Sequence, residues 1–202
     1  MSKERVTILD NEKFLRQVSK NVDFNDKSYL DDIVKLKDFC KNDGIFALAP
    51  VQIGIPKRII YIRNSTSDAD KNFDSNYDEG KIYINPIIIK RKGLTKYLEG
   101  CASCPGTAPN KDSAESDIDN FLLVGTVKRP YLIEIEYYDI EGLKKKDTIE
   151  GFESTVFSHE YDHLNGILHL DLIEEVWNMD LKERSEYRKN HPYEIISENC
   201  DY

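Results

Sequence analysis

Two periods of hydrophobic and polar residues run along this chain, and they assign most of its elements. Between residues 28 and 42, Leu30, Ile33, Val34 and Lys37 fall on one helical stripe, widened by Leu36, Phe39 and Cys40. Asp43-Gly44 is the predicted stop. Residues 58–63 and 81–89 are β-branched and aromatic and predict strands, with an Asn-, Asp- and Ser-rich exposed loop over 64–80 between them. Residues 131–139 set Leu132, Ile133, Ile135, Tyr137 and Tyr138 among acids as another strand. Asp139-Ile140-Glu141-Gly142 then predicts a hairpin turn and 143–149 the returning strand. Residues 152–165 predict a helix, ended by Asn165-Gly166. Segment 105–125 has no period and is dominated by turn formers, which predicts a mobile surface loop. A charged helical stretch lies near 179–190, and the tail after about 176 is otherwise weakly determined. No repeat is visible, and the length fits one domain over 1–202. The fold class expected is α+β, with strands on either side of one buried helix and a further helix toward the N-terminus.

Composition narrows the partners. Thirty-seven acids against 28 bases give a net charge of −9, so there is no direct nucleic-acid footprint. No apolar run is long enough for a bilayer-spanning helix, and Met1-Ser2-Lys3-Glu4-Arg5 lacks the apolar stretch of a secretory signal. Four cysteines, at 40, 101, 104 and 200, are sparse for a disulfide framework and favour a reducing compartment. Cys40 lies on a helix stripe and is expected in the core; Cys200 is expected in an exposed tail.

The chemistry gathers at His159-Glu160-Tyr161-Asp162-His163. On a helix, residues four apart lie on one face, so both imidazoles can reach one metal ion. Glu160 then sits beside the first ligand, where it can exchange a proton with water at the metal. Two candidates offer a third ligand. His169 and Gly166 stand at the offsets of an extended H-E-x-x-H-x-x-G-x-x-H pattern, although Ile167 to Leu170 alternate like a short strand. Cys101, in Glu99-Gly100-Cys101-Ala102-Ser103, offers a thiolate after a glycine. Cys104 adds a further option, a closed site of Cys101, Cys104, His159 and His163, but the long gap between Cys104 and His159 argues against a compact zinc finger, and such a site leaves Glu160 without a role.

Three stretches in order resemble the peptide deformylase family: Ile45-Phe-Ala-Leu-Ala-Pro-Val-Gln52, Glu99-Gly-Cys-Ala-Ser103 and His159-Glu-Tyr-Asp-His163. The resemblance runs from about residue 8 to 175. It implies antiparallel sheets packed around a central HExxH helix. It implies one divalent metal ion on Cys101, His159 and His163, natively Fe²⁺, with Zn²⁺, Ni²⁺ or Co²⁺ as substitutes. It implies Glu160 as general base and acid, with Gln52 and the backbone N–H of Ala102 as the oxyanion hole. The substrate implied is an N-formyl-methionyl peptide, held at Ala47, Gly100 and Arg129. The products implied are formate and a peptide with a free N-terminal Met. The setting implied is a monomer working transiently near the ribosome, in a bacterial cytoplasm or an organelle of bacterial descent.

The first stretch departs from the family pattern G-x-G-x-A-A-x-Q. Ile45 and Ala47 replace its glycines and Pro50 its second alanine. Pro50 offers no N–H. These changes bear on substrate affinity and motivate one rival reading, a non-catalytic binder of formyl peptides; His169 as third ligand gives another, a metallopeptidase.

Overall fold

A computed structural model describes residues 5–63, 80–107 and 121–202. The loop expected over 64–80 falls outside them except for Gly80, as does the middle of 105–125. The ends of the latter segment are strand: one strand runs through Pro105 and the next starts at Leu122.

The described residues form helices α1 (Ile8–Leu15) and α2 (Ser28–Asp43), then strands β1 (Ala47–Leu48), β2 (Ile59–Arg63), β3 (Gly80–Pro105), β4 (Leu122–Arg129), β5 (Leu132–Tyr138) and β6 (Lys144–Glu150). Helix α3 (Gly151–Leu164), strand β7 (Trp177–Met179), helix α4 (Leu181–Asn190) and strand β8 (Glu194–Asp201) follow. All named strands pair antiparallel. The 26-residue β3 joins them, with β2 and β5 on its first half and β4 and β8 on its second.

The pattern stops this strand at residue 89 because Lys90-Arg91-Lys92 and Gly93 interrupt the apolar run. The strand continues because those lysines stay at the surface, Lys90 paired to Glu134 at 2.9 Å. Gly93 carries φ 73°, and a Cβ there would lie 2.6 Å from the Ser197 carbonyl oxygen. Asn85 and Pro86 sit where the β3–β5 register shifts. The Asn85 amide accepts from Val22 N–H at 2.8 Å and donates to its carbonyl at 3.0 Å.

Helix α2 has the expected span but not the expected face. Tyr29, Ile33, Leu36 and Cys40 are buried, whereas Leu30 and Val34 are 37% and 56% exposed. The period holds; the phase is turned by one residue. Tyr29 packs on Phe24 and donates to the Ile140 carbonyl at 3.2 Å. Asp32 comes inward because Lys57 meets it at 2.6 Å. The short α1, capped by Thr7, buries only Leu15 and leaves almost no periodic trace.

Helix α3 carries the pentapeptide. Phe157 and Leu164 are fully buried with Ile60, Ile133, Ile135 and Ile149. Ser154 is a buried small residue whose hydroxyl donates to the Pro130 carbonyl at 2.8 Å. Gly166 ends the turn at φ 73°, where a Cβ would lie 2.1 Å from the Arg16 carbonyl oxygen, so a side chain has no room. His169–Asp171 is a 3₁₀ turn, not the alternating strand that Ile167 to Leu170 suggest.

The weakly determined tail forms β7, α4 and β8. Strand β8 is almost wholly exposed and is held by backbone pairing to β3, so no hydrophobic period marks it. Asp180 and Glu183 cap α4 reciprocally, Asp180 accepting from Glu183 N–H at 2.7 Å and Glu183 from Asp180 N–H at 2.8 Å. No helix among the described residues is long and apolar enough to cross a membrane.

Candidate metal centre and cavity

Three segments converge. Gln52 belongs to the buried 3₁₀ turn Pro50–Ile53. Cys101 and Ala102 lie on β3 where its register with β4 jumps from Gly100↔Val124 to Pro105↔Leu122. The jump lifts this stretch off the ladder and frees its backbone from regular pairing. His159, Glu160 and His163 come from α3.

Cys101 Sγ, one nitrogen of His159 and one of His163 lie within 4.8 Å of one another. Cys101 Sγ is 3.3 Å from His163 Nε2. His159 Nδ1 is 2.8 Å from Glu99 Oε2. Burial pushes the Glu99 carboxyl up, but Arg129 and His159 outweigh it and hold the group well below the usual carboxylate range. An ionised carboxylate only accepts, so His159 Nδ1 carries a proton, and Nε2 is the nitrogen left to offer a lone pair to a metal once the ring is neutral. Hydrogen bonding from Cys104 favours the Cys101 thiolate; burial opposes this, but with His163 and His159 nearby the thiol is held well below its ordinary value. One thiolate and two imidazoles suit a borderline divalent ion and leave a coordination position open.

Glu160 is buried, and its Oε2 has no hydrogen-bond partner. Burial raises its pKa, against the lowering effect of His159 and His163. Such an oxygen beside a thiolate–imidazole set fits an ion with its water. Gln52 is oriented from the other side. Ala49 N–H donates to its Oε1 at 3.1 Å, which turns Nε2 toward Cys101 Sγ at 3.3 Å and Ser103 Oγ at 3.2 Å.

Arg129, expected to hold substrate, is engaged by acids of its own chain. It is 3% exposed, donates through Nε and Nη2 to Glu99 at 2.8 and 2.9 Å, and donates through Nη1 to Asp162. Charge pairing inside the protein engages all three of its nitrogens. His169 does not join the His159–His163 set; its Nε2 is 3.0 Å from the Leu123 carbonyl oxygen.

A cavity of about 260 Å³ opens beside these groups. Ala47, Gly100, Cys101, Ala102, Gln52, His159 and Glu160 line it on the polar side, and Phe46, Tyr97, Leu98, Phe152 and Val156 form apolar walls. Arg188 of α4 also lines it, with its guanidinium 5.1 Å from the Tyr97 ring centre and donating to the Leu98 carbonyl at 3.1 Å. This wall residue lies in a charged helix whose pattern carries no sign of the cavity.

The substituted first stretch requires no glycine at Ile45 or Ala47. Among the described non-glycine residues only Asn85 has positive φ, so Ile45 and Ala47 adopt backbone open to any residue. Pro50 opens the 3₁₀ turn, where an N–H has no partner within the turn. Ile45 adds its side chain to the cavity lining.

The family model for polypeptide deformylase matches residues 5–178. The chain is 33% identical over 183 residues to a peptide deformylase of Pelagibacter ubique, covering 88% of this chain and 91% of the relative. It is 32% identical over 186 residues to one of Acetivibrio thermocellus, covering 89% of each. A crystallised peptide deformylase of Plasmodium falciparum superposes with TM-score 0.64 at 28% identity, covering 92% and 91%. One of Synechococcus elongatus, in complex with actinonin, superposes with TM-score 0.66 at 26% identity, covering 95% and 90%.

Proposed function

The chain belongs to the polypeptide deformylase family and removes the N-formyl group from nascent peptides, and we propose from that premise how its own residues do so. Cys101, His159 and His163 hold one divalent ion, natively Fe²⁺, with Zn²⁺, Ni²⁺ or Co²⁺ as substitutes. When bound, the ion polarises a carbonyl oxygen and acidifies water. Glu160 takes the proton from the water that attacks the formyl carbon, then delivers it to the leaving amine nitrogen. Nε2 of Gln52 and the backbone N–H of Ala102 donate to the oxygen on which negative charge develops. Formate and a peptide with a free N-terminal Met leave.

The peptide backbone adds along β1. Ala47 and Leu48 pair only with β2 among the described strands, which leaves the other edge open toward the cavity. Gly100 faces it from β3. The Met side chain enters among Phe46, Leu98 and Val156. Arg129 contributes by holding Glu99 and α3 together. The protein acts as a monomer on chains near the ribosome, in a bacterial cytoplasm or an organelle of bacterial descent.

The observation that carries this reading is the unpartnered, buried Oε2 of Glu160 beside a thiolate–imidazole set at the cavity. The experiment is formate release from formyl-Met-Ala-Ser by protein prepared anaerobically with Fe²⁺, with Glu160→Ala as control. Release by the parent and loss in the variant, with metal still bound, are expected. Folded, iron-loaded parent protein that releases no formate overturns the reading and returns weight to a non-catalytic binder.

A further inference from the structure

Cys101 belongs to two donor sets. Besides the set with His159 and His163, Cys101 Sγ, Cys104 Sγ and one nitrogen of His169 lie within 4.8 Å of one another. All three residues are buried, at 4%, 0% and 1% exposure. Around them pack Leu15, Leu168, Leu123 and Ile8, so the pair Cys104–His169 sits in a small apolar cluster behind the cavity. An imidazole is a costly filler for such a cluster unless both nitrogens are used.

Only one is. Nε2 of His169 lies 3.0 Å from the Leu123 carbonyl oxygen, an acceptor, so Nε2 carries the proton. Nδ1 therefore holds a lone pair. It is buried with no hydrogen-bond partner. A carbonyl fixing the tautomer while the second nitrogen stays free is the arrangement that metal-binding histidines use.

The geometry points to a second metal site on Cys101, Cys104 and His169, selective for a thiophilic divalent ion such as Zn²⁺, with the Cys101 thiolate bridging it to the centre of the proposed function. Two thiolates and an imidazole match zinc better than they match harder ions. Binding displaces the Cys104 proton to solvent, since the thiolate is the ligand. Cys101 lines the cavity, so an ion reaching the first centre is one sulfur away from the second. This inference rests in part on the first centre being where the proposed function puts it, and the test separates the two.

The full chain is dialysed against buffered free Zn²⁺, and bound zinc per chain is measured by plasma mass spectrometry. A parallel Co²⁺ series reads the thiolate-to-metal absorption in the near ultraviolet. The variants are Cys104→Val, of similar volume, and His169→Gln, which keeps a donor for the Leu123 carbonyl. The parent is expected to take up two ions per chain and each variant one, with weaker thiolate absorption in Cys104→Val. His163→Ala is expected to lose the first ion and keep the second. A parent that saturates at one ion, unchanged by Cys104→Val and by His169→Gln, overturns the second site. Zinc that depends on Cys104 but not on His163 upholds the second site and overturns the first.

Discussion

Glu99 and His159 lie 60 residues apart in sequence and meet at 2.8 Å, carboxylate to Nδ1, inside the protein. That contact sets which imidazole nitrogen faces the cavity. Glu99→Gln keeps the shape but weakens the bond that fixes the ring. Metal affinity is expected to fall about 10- to 100-fold. Competition with a chromogenic chelator measures it; an unchanged dissociation constant would show that the ring is held by packing alone.

Gln52 is positioned through Ala49 N–H, and its amide nitrogen donates to Cys101 Sγ and Ser103 Oγ. Gln52→Ala is expected to lower kcat about 10²- to 10³-fold with metal content intact. Steady-state deformylation at saturating substrate reads this. A loss confined to KM would place Gln52 in ground-state binding instead.

Arg129 is locked between Glu99 and Asp162. Arg129→Met leaves the buried Glu99 carboxylate without its cation. Breaking a buried pair in this way costs about 3–5 kcal/mol. Urea unfolding of the metal-free variant tests the figure apart from metal binding. A cost under about 1 kcal/mol would mean that water reaches Glu99.

Burial pushes the Cys40 thiol up from 9.0 to about 12, with Glu160 and Asp43 adding to the rise. Folding thus favours the protonated thiol. The associated stability is complete below about pH 9 and is lost as pH rises toward 12, because the unfolded chain ionises first. Melting temperatures over that window should fall less steeply in Cys40→Val than in the parent. At pH 8 a thiol reagent should label Cys200, which is exposed, and spare Cys40.

Arg188 closes one side of the cavity from α4. Arg188→Ala is expected to raise KM for formyl-Met peptides and leave kcat near the parent value, since the guanidinium stands on the Tyr97 wall rather than at the metal ligands. Equal losses in kcat would connect α4 to the chemical step.

The site was more legible than the face of any one helix. His159 and His163 show their four-residue spacing directly, and the order of the three stretches singles out Gln52 and Cys101. Phase was harder: α2 turns Tyr29 and Asp32 inward because Ile140 and Lys57 meet them there, and a helical period holds no record of partners on other segments. Strand β8 and the Arg188 wall left no trace for a related reason. Strand β8 is held by backbone bonds to β3, and backbone groups are the same whatever the side chains. At Arg129 the sequence shows a cation but not Glu99 and Asp162, the two acids that meet it.

Cys101 lies where β3 shifts its register with β4, and the groups that join it come from far along the chain. Cys101 and His163 are 62 residues apart, and Gln52 and Ser103 are 51 apart. No local hairpin or single helix contains the centre, so it is completed only after the long strand has found its neighbours on both halves. Contacts of such separation close late on the folding path. On refolding, deformylation should therefore return after the far-ultraviolet signal of α2 and α3, and a truncated or half-emerged copy of this chain has no working centre to offer.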